Sequence, residues 1–271
     1  MRKYLFFVLT VLAVLGAGTA VRAAPPPVPP GSYFIYDTWG GTWQDANKTT
    51  ANTEDDLMCW AAAASNVLAW GQWGTPAYDT SATIFTHFQD HWTDNAGWPN
   101  YAWRWWFDGT APSYSSYSYV DVPGGGEFYP QVNFLDYYMV ITGKDLMTAV
   151  DKALHSGYGV VLDIYKGFTA HAVTLWGFDY EVVNKKKVYT NIYITDSDDN
   201  STGLMKYALT LGSSGYTLGG SYSGWIISDA LGLKLNSSLI EPLGSAPVPL
   251  PGSVFLLASG LLGLGWWRRR R

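Results

Sequence analysis

The chain has 271 residues, 48 % hydrophobic and 14 % charged, which is long and apolar enough for one folded domain with a sizeable core and excludes a disordered polyampholyte. Of its 17 basic residues, seven (Arg2, Lys3, Arg22 and Arg268 to Arg271) sit in terminal segments that hold no acidic residue, so 10 basic face 22 acidic in between, a formal charge of −12. Such a body argues against nucleic acid and anionic membranes as partners.

The chain opens with Arg2 and Lys3, an apolar run from Tyr4 to Leu15, and a small-residue cut at Val21-Arg22-Ala23. These are the parts of a secretory signal peptide over residues 1–23. A proline-rich lead-in follows at 24–31, a single domain at 32–235, a polar spacer at 236–250 and an apolar, arginine-ended tail at 251–271. The tail's apolar stretch, Val254 to Trp267, is short of the about 20 residues that span a bilayer. One reading is a short anchor with its arginines held inside. The other rests on Val248-Pro249 to Pro251, the apolar segment and the terminal arginines, which together resemble a PEP-CTERM sorting signal. That resemblance implies an exosortase-like sorting partner, passing membrane association through the terminal segments, and a secreted or cell-surface destination in a Gram-negative bacterium.

Within the domain, the spacing of Ala, Val, Leu and Trp predicts a helix over Leu57 to Trp70, with Asp56 capping its start. The stretch Gly97 to Gly109 is rich in tryptophan and offers either core packing or, with Arg104, a substrate groove. Gly, Ser and Tyr cluster in Ser113 to Gly126 and Gly212 to Gly224, where loops are expected. A second helix is predicted from Lys144 or Asp145 to His155. Strands are predicted at Gly159 to Tyr165, Ala170 to Trp176 and Val188 to Thr195, the last two joined by a polar turn at Asn184 to Lys187. Helix first and strands later is the order of an α+β domain.

Cys59 is the only cysteine. It cannot form an internal disulfide, and an unpaired thiol in an exported chain points to used reactivity. A helix start and a nearby imidazolium both favour the thiolate, and the helix end alone supplies too little, about 0.3–2 kcal/mol of the roughly 6 needed. A histidine must supply the rest. Of the four histidines, His87 and His91 share a helical face but lack the glutamate of H-E-x-x-H and a third zinc ligand, which favours packing or surface roles, and His155 suits a helix C-terminus. His171 is the candidate. If its strand pairs with the next about a two-residue turn at Asn184-Lys185, His171 opposes Asp198, and Asp196 lies diagonally beside it on the same face. A slip of one residue would separate them. The alternatives for D-S-D-D-N are a plain charged strand end, or a calcium loop that has Ser201 for the required glycine and Tyr207 for the terminal glutamate.

At W-Q-D-A-N-K-T-T-A-N-T-E-D-D-L-M-C-W-A-A-A-A-S-N-V-L-A-W, and again at H-A-V-T-L-W-G-F-D-Y with I-Y-I-T-D-S-D-D-N, the chain resembles the IdeS/Mac family of secreted, immunoglobulin G-degrading cysteine endopeptidases. The resemblance implies a papain-like α+β fold in which a nucleophile at a helix N-terminus packs against an antiparallel sheet carrying His and Asp. It also implies Cys59 as nucleophile, His171 as general base and acid, Asp196 as its orienting group, Asp198 as a second supporting carboxylate, and Lys48 as part of the oxyanion site. No metal or organic cofactor is required. Trp60 follows the cysteine where the immunoglobulin-cleaving members have glycine, so an extracellular protein or peptide substrate is expected without immunoglobulin being implied. Two other functions fit the same residues: a transglutaminase-like acyl transferase, and a non-catalytic aromatic-rich binding or matrix protein on a protease scaffold.

Overall fold

The computed structural model describes residues 31–49, 55–112, 117–198 and 203–237. The signal segment, the lead-in up to residue 30, most of the spacer, the sorting tail and Asp199 to Ser201 of the calcium reading lie outside the described residues. In chain order the elements are β1 (Ser32–Phe34), α1 (Ile35–Trp39), α2 (Cys59–Trp70), α3 (Ser81–His91), α4 (Pro99–Asp108), β2 (Tyr138–Thr142), α5 (Leu146–His155), β3 (Tyr158–Lys166), β4 (Thr169–Val183), β5 (Lys186–Thr195), β6 (Met205–Gly212), β7 (Gly215–Leu218) and β8 (Ile226–Lys234). Strands β4-β3-β8-β7-β6-β5 pair in that order and close through β4–β5 into an antiparallel barrel, with β1 added to β4 and β2 to β8. Helices and an antiparallel sheet make this an α+β domain.

Alternation along the strands serves two cores. Val160, Leu162 and Ile164 of β3 join Val173, Leu175, Ile192 and Ile194 in a core closed by α5, while Val161 faces the other way with Ala172, Leu231 and Leu233, onto α2, α3 and α4. Four alanines, Ala61 to Ala64, give α2 a low surface, and the strand beneath it carries Gly159. A Cβ at Gly159 would come within 2.8 Å of Val67 Cγ1 and 3.2 Å of Trp70. Val67 and Trp70 pack directly on that glycine, and its missing side chain is what lets this end of the helix lie so close to the sheet. Around it Trp60, Trp73, Trp103, Trp106, Phe88 and Phe107 are fully buried, each aromatic removing on the order of 150–250 Å² from water. α4 begins with Pro99 in its first turn and ends at Gly109 in the left-handed conformation, as the Pro-start, Gly-stop asymmetry of helices favours. Within the tryptophan-rich stretch Ala102, Trp103, Trp105, Trp106 and Phe107 are therefore core, and Arg104 is an exposed residue 3.7 Å from Asp108.

Three expectations change. Helix α2 starts at Cys59, with Met58 rather than Asp56 at the cap. The Met58 N–H instead closes a turn onto the Asp55 carbonyl (3.0 Å), and it is the buried Asp55 carboxylate that is engaged, by Thr49 N–H and Gln89 Nε2, while Asp56 stays exposed. The glycine-serine-tyrosine segment holds strand β7, because Tyr216 and Leu218 alternate inward between turn residues. The β4–β5 hairpin turns on Asn184 (φ 52) and Lys185 (φ 65), a two-residue turn with both residues left-handed, but its register is not a plain ladder. Thr190 is an extra residue on β5 between the Tyr180–Tyr189 and Asp179–Asn191 pairs, and Trp176 is an extra residue on β4 between Gly177–Tyr193 and Leu175–Ile194. The two bulges cancel. Thr174 faces Thr195, so the pairing regains, at the far end, the register that the turn alone would set.

Candidate active site

Cys59 is the first residue of α2, half-buried, at the end where the first N–H groups of a helix lack intrahelical acceptors. His171 comes from β4 and is 7 % exposed; Asp196, 4 % exposed, directly follows β5. His171 Nε2 meets Asp196 Oδ1 at 2.7 Å, which leaves Nδ1 to face the sulfur and, at 3.8 Å, Asp198 Oδ2. Cys59 and His171 line the same cleft, close enough for each to shift the other's protonation. Lys48, from the segment before α2, forms an ion pair with Asp198, donates from Nζ to the Asp56 carbonyl (2.6 Å), and donates its backbone N–H to the Ser197 carbonyl (3.1 Å). It is a tethered, largely covered lysine rather than a solvated one.

The electrostatics follow from these contacts. Burial opposes the Cys59 thiolate, yet the hydrogen bond and charge of His171, the Ala172 backbone amide and the Lys48 charge outweigh it and hold the thiol below its ordinary value. Burial likewise opposes the imidazolium, but Asp196 and the thiolate push His171 up to about 10. Asp196 is itself held below the usual carboxylate value: its burial is outweighed by His171, the Tyr222 hydroxyl and the Asp198 backbone N–H. Together these shifts favour the thiolate–imidazolium form of the pair.

Two parts of the arrangement have no counterpart in the sequence reading. Tyr222, in the single turn Gly220–Tyr222, donates to Asp196 Oδ2 at 2.5 Å and lies with its ring 6.0 Å from His171 and inclined by 24°. With Oδ1 accepting from Asp198 N–H at 3.0 Å, both carboxylate oxygens are fixed. Asn66, two helical turns beyond Cys59, donates to Thr174 Oγ1 (3.1 Å) and Thr195 Oγ1 (3.4 Å) and accepts from Ala46 N–H (2.7 Å), all buried. Those partners flank His171 and Asp196, so one amide ties together the segments that carry sulfur, ring and carboxylate. An Asn on the buried face of an alanine-rich helix was the available signal for it. Tyr222 sits in a glycine-serine segment and leaves none.

These residues open onto a cleft of about 330 Å³ whose walls include Lys48, Cys59, Gly97, Trp98, His171 and Asp198. Trp60 forms its base, its indole N–H donating to the Asn95 carbonyl at 3.1 Å, and a Cβ at Gly97 would come within 2.6 Å of that ring. Only glycine leaves space there. Of the tryptophan-rich stretch, Gly97 and Trp98 alone reach the cleft. His171, Asp196 and Asp198 are the one group among the described residues whose donor atoms, within 4.8 Å of one another, could share a cation. They are already engaged with one another, with Lys48 and with Tyr222. His87 and His91 pack ring to ring at 4.6 Å and bond the Gly125 and Val122 carbonyls, and His155 ends α5 against Asp151 and stacks on Tyr33. All three are structural.

Two family models match the chain. One, described as Mac 1, covers residues 141–221 and so includes His171, Asp196 and Asp198 but neither Cys59 nor Lys48. The other, a PEP-CTERM protein-sorting motif, covers residues 247–270. No curated protein matches. The first match points to a family associated with cysteine endopeptidase activity. The second indicates export, recognition by exosortase sorting machinery and a surface or extracellular destination in Gram-negative bacteria.

Proposed function

We propose that this chain is a secreted, papain-like cysteine endopeptidase of the IdeS/Mac type, acting on an extracellular protein or peptide through Cys59, His171 and Asp196. One observation carries the reading: an imidazole held at 2.7 Å by a buried carboxylate shares a solvent-open cleft with a thiol at a helix N-terminus, and each shifts the other's protonation. In this reaction the Cys59 sulfur attacks the scissile carbonyl carbon, and the oxygen's developing charge is met by N–H groups at the start of α2 and by the Lys48 charge. The imidazolium then gives its Nδ1 proton to the leaving amine as the C–N bond breaks, leaving a thioester on Cys59. Water enters, loses a proton to His171 and attacks the thioester; the acid product departs and the thiolate is restored. Asp196 keeps its proton-free state throughout, holding the ring, and Asp198 anchors Lys48.

The test is a map of new peptide termini in culture supernatant from the wild type and a Cys59→Ala strain, with the purified protein assayed on a peptide library. Cleavage that requires Cys59 supports the reading. Amide exchange with an added amine, without chain cleavage, would replace it by acyl transfer.

A further inference from the structure

Across the sheet face beneath α2, Ala172 of β4, Asp163 of β3 and Asp229 of β8 stand in one row, since Asp163 pairs with both Ala172 and Asp229. The next row, Thr174, Val161 and Leu231, is covered by the helix and is buried. Where α2 begins at Cys59, its cover ends, and the following row becomes the floor of the cleft, with two carboxylates side by side instead of apolar groups. Directly opposed like charges on neighbouring strands are unfavourable. Among the described residues no lysine or arginine forms an ion pair with either. Asp163 is close enough to feel the Cys59 charge, and beyond the pair an adjoining hollow of about 310 Å³ has walls from Trp98, Tyr101, Tyr138 and Leu231.

We infer that this part of the cleft is a specificity subsite for a basic side chain of the substrate, Lys or Arg, with Asp163 and Asp229 receiving the cation and the aromatic hollow receiving its aliphatic stem. The inference rests on the peptidase reading and adds the substrate class to it. Burial and the neighbouring Asp229 carboxyl hold Asp163 well above the ordinary carboxylate range. A lysine or arginine supplies the missing counter-charge, and Trp and Tyr faces accept both the methylene stem and the cation. The body's formal charge of −12 draws cationic peptides toward the same cleft. Of the cations nearby, the His171 imidazolium acts on Asp163 but is held by Asp196, and Lys48 is committed to Asp198 and the Asp56 carbonyl.

The experiment has two arms. In the first, the full-length protein cleaves a peptide library, and each preferred site is remade with Lys, Arg, norleucine or citrulline. Lysine or arginine at one fixed position from the cut should raise kcat/KM at least about tenfold over norleucine and citrulline. Asp163→Asn and Asp229→Asn should each reduce that ratio toward unity, and Asp229→Lys should turn it toward Glu. In the second arm, calorimetry measures binding of Lys and norleucine peptides to Cys59→Ala protein, which needs no turnover. Cleavage without preference for a basic residue, a preference that survives both Asn variants, or equal binding of the two peptides overturns the subsite and leaves the peptidase standing. Absence of cleavage with retained Lys-selective binding overturns the peptidase and keeps the subsite. Circular dichroism identifies any variant that does not fold, and the ratio is then read from the other Asn variant.

Discussion

The helical half and the sheet half position their parts of the site by different physics. On the helical side a single residue matters, and Cys59 is located by close packing: alanines against the glycine-bearing strand, and Trp60 wedged among Phe88, Trp92 and the Gly97 backbone. On the sheet side His171, Asp196 and Asp198 are located by strand register and by hydrogen bonds that leave neither oxygen of Asp196 free. Packing fixes where an element lies, whereas directed bonds fix how a ring is turned. A nucleophile on a helix end needs mainly the first. A proton carrier needs both.

Substitutions on the two sides should therefore fail differently. Cys59→Ala removes the nucleophile from an otherwise unchanged half, and peptide cleavage should fall by more than about 10⁴-fold with the melting temperature nearly kept. Asp196→Asn keeps the shape but offers the ring a donor or a neutral acceptor, and kcat should fall about 10²- to 10⁴-fold. Iodoacetamide should alkylate wild-type Cys59 rapidly well below an ordinary thiol's range, and Asp196→Asn, by weakening the imidazolium, should move the onset of that alkylation to higher pH. The same pair shapes stability. His171 is raised from 6.5 to about 10, so its contribution is complete below its unfolded value and is lost as pH rises through about 10. Asp196 is lowered, so its contribution is present above its unfolded value and is lost as pH falls. Thermal melts across pH should show both limbs in the wild type and smaller ones in Asp196→Asn, where the thiolate alone still raises His171.

Smaller effects separate the halves further. Tyr222→Phe deletes one hydrogen bond to a charged oxygen, worth about 1.5–3 kcal/mol, and should lower kcat roughly tenfold or more while moving the alkaline limb of the rate profile downward. A merely structural tyrosine would leave that limb in place. Asn66→Ala leaves the Ala46 N–H without its acceptor and Thr174 and Thr195 without their amide, which should cost about 3 kcal/mol of stability in denaturant unfolding. Its effect on kcat at a temperature where the protein is folded should be the smallest of these, because no reacting atom is touched.

How much of this could be read in the residues divides along the same line. The lone cysteine at an alanine-rich helix start and the apolar alternation around His171 are local patterns, and local patterns survive in a sequence. The hairpin arithmetic placed His171 beside Asp196 and Asp198 while missing both bulges, because two irregularities of opposite sense leave the far pairing as it was. Tyr222 and Asn66 act only through partners distant in the chain, so no spacing rule points to them. The Asp163–Asp229 pair needs the β3–β8 pairing, and the alternation of β8 is broken by Gly232 and by Asp229 itself. Asp56 drew the helix cap because Asp is a favoured cap, but the adjacent Asp55 closes the turn and shifts the start to Cys59.

The compensating bulges at Thr190 and Trp176 also restrict how this hairpin can change length. Each is an extra residue without a cross-strand partner, so deleting it would straighten its strand and leave the Thr174–Thr195 pair as it is, whereas deleting a paired residue nearer the cleft would slip the register by one and turn His171 relative to its carboxylates as a one-tooth error turns a gear. Single-residue deletions in β4 or β5 should thus disturb the register least at the two bulges and most at the paired positions nearest the cleft.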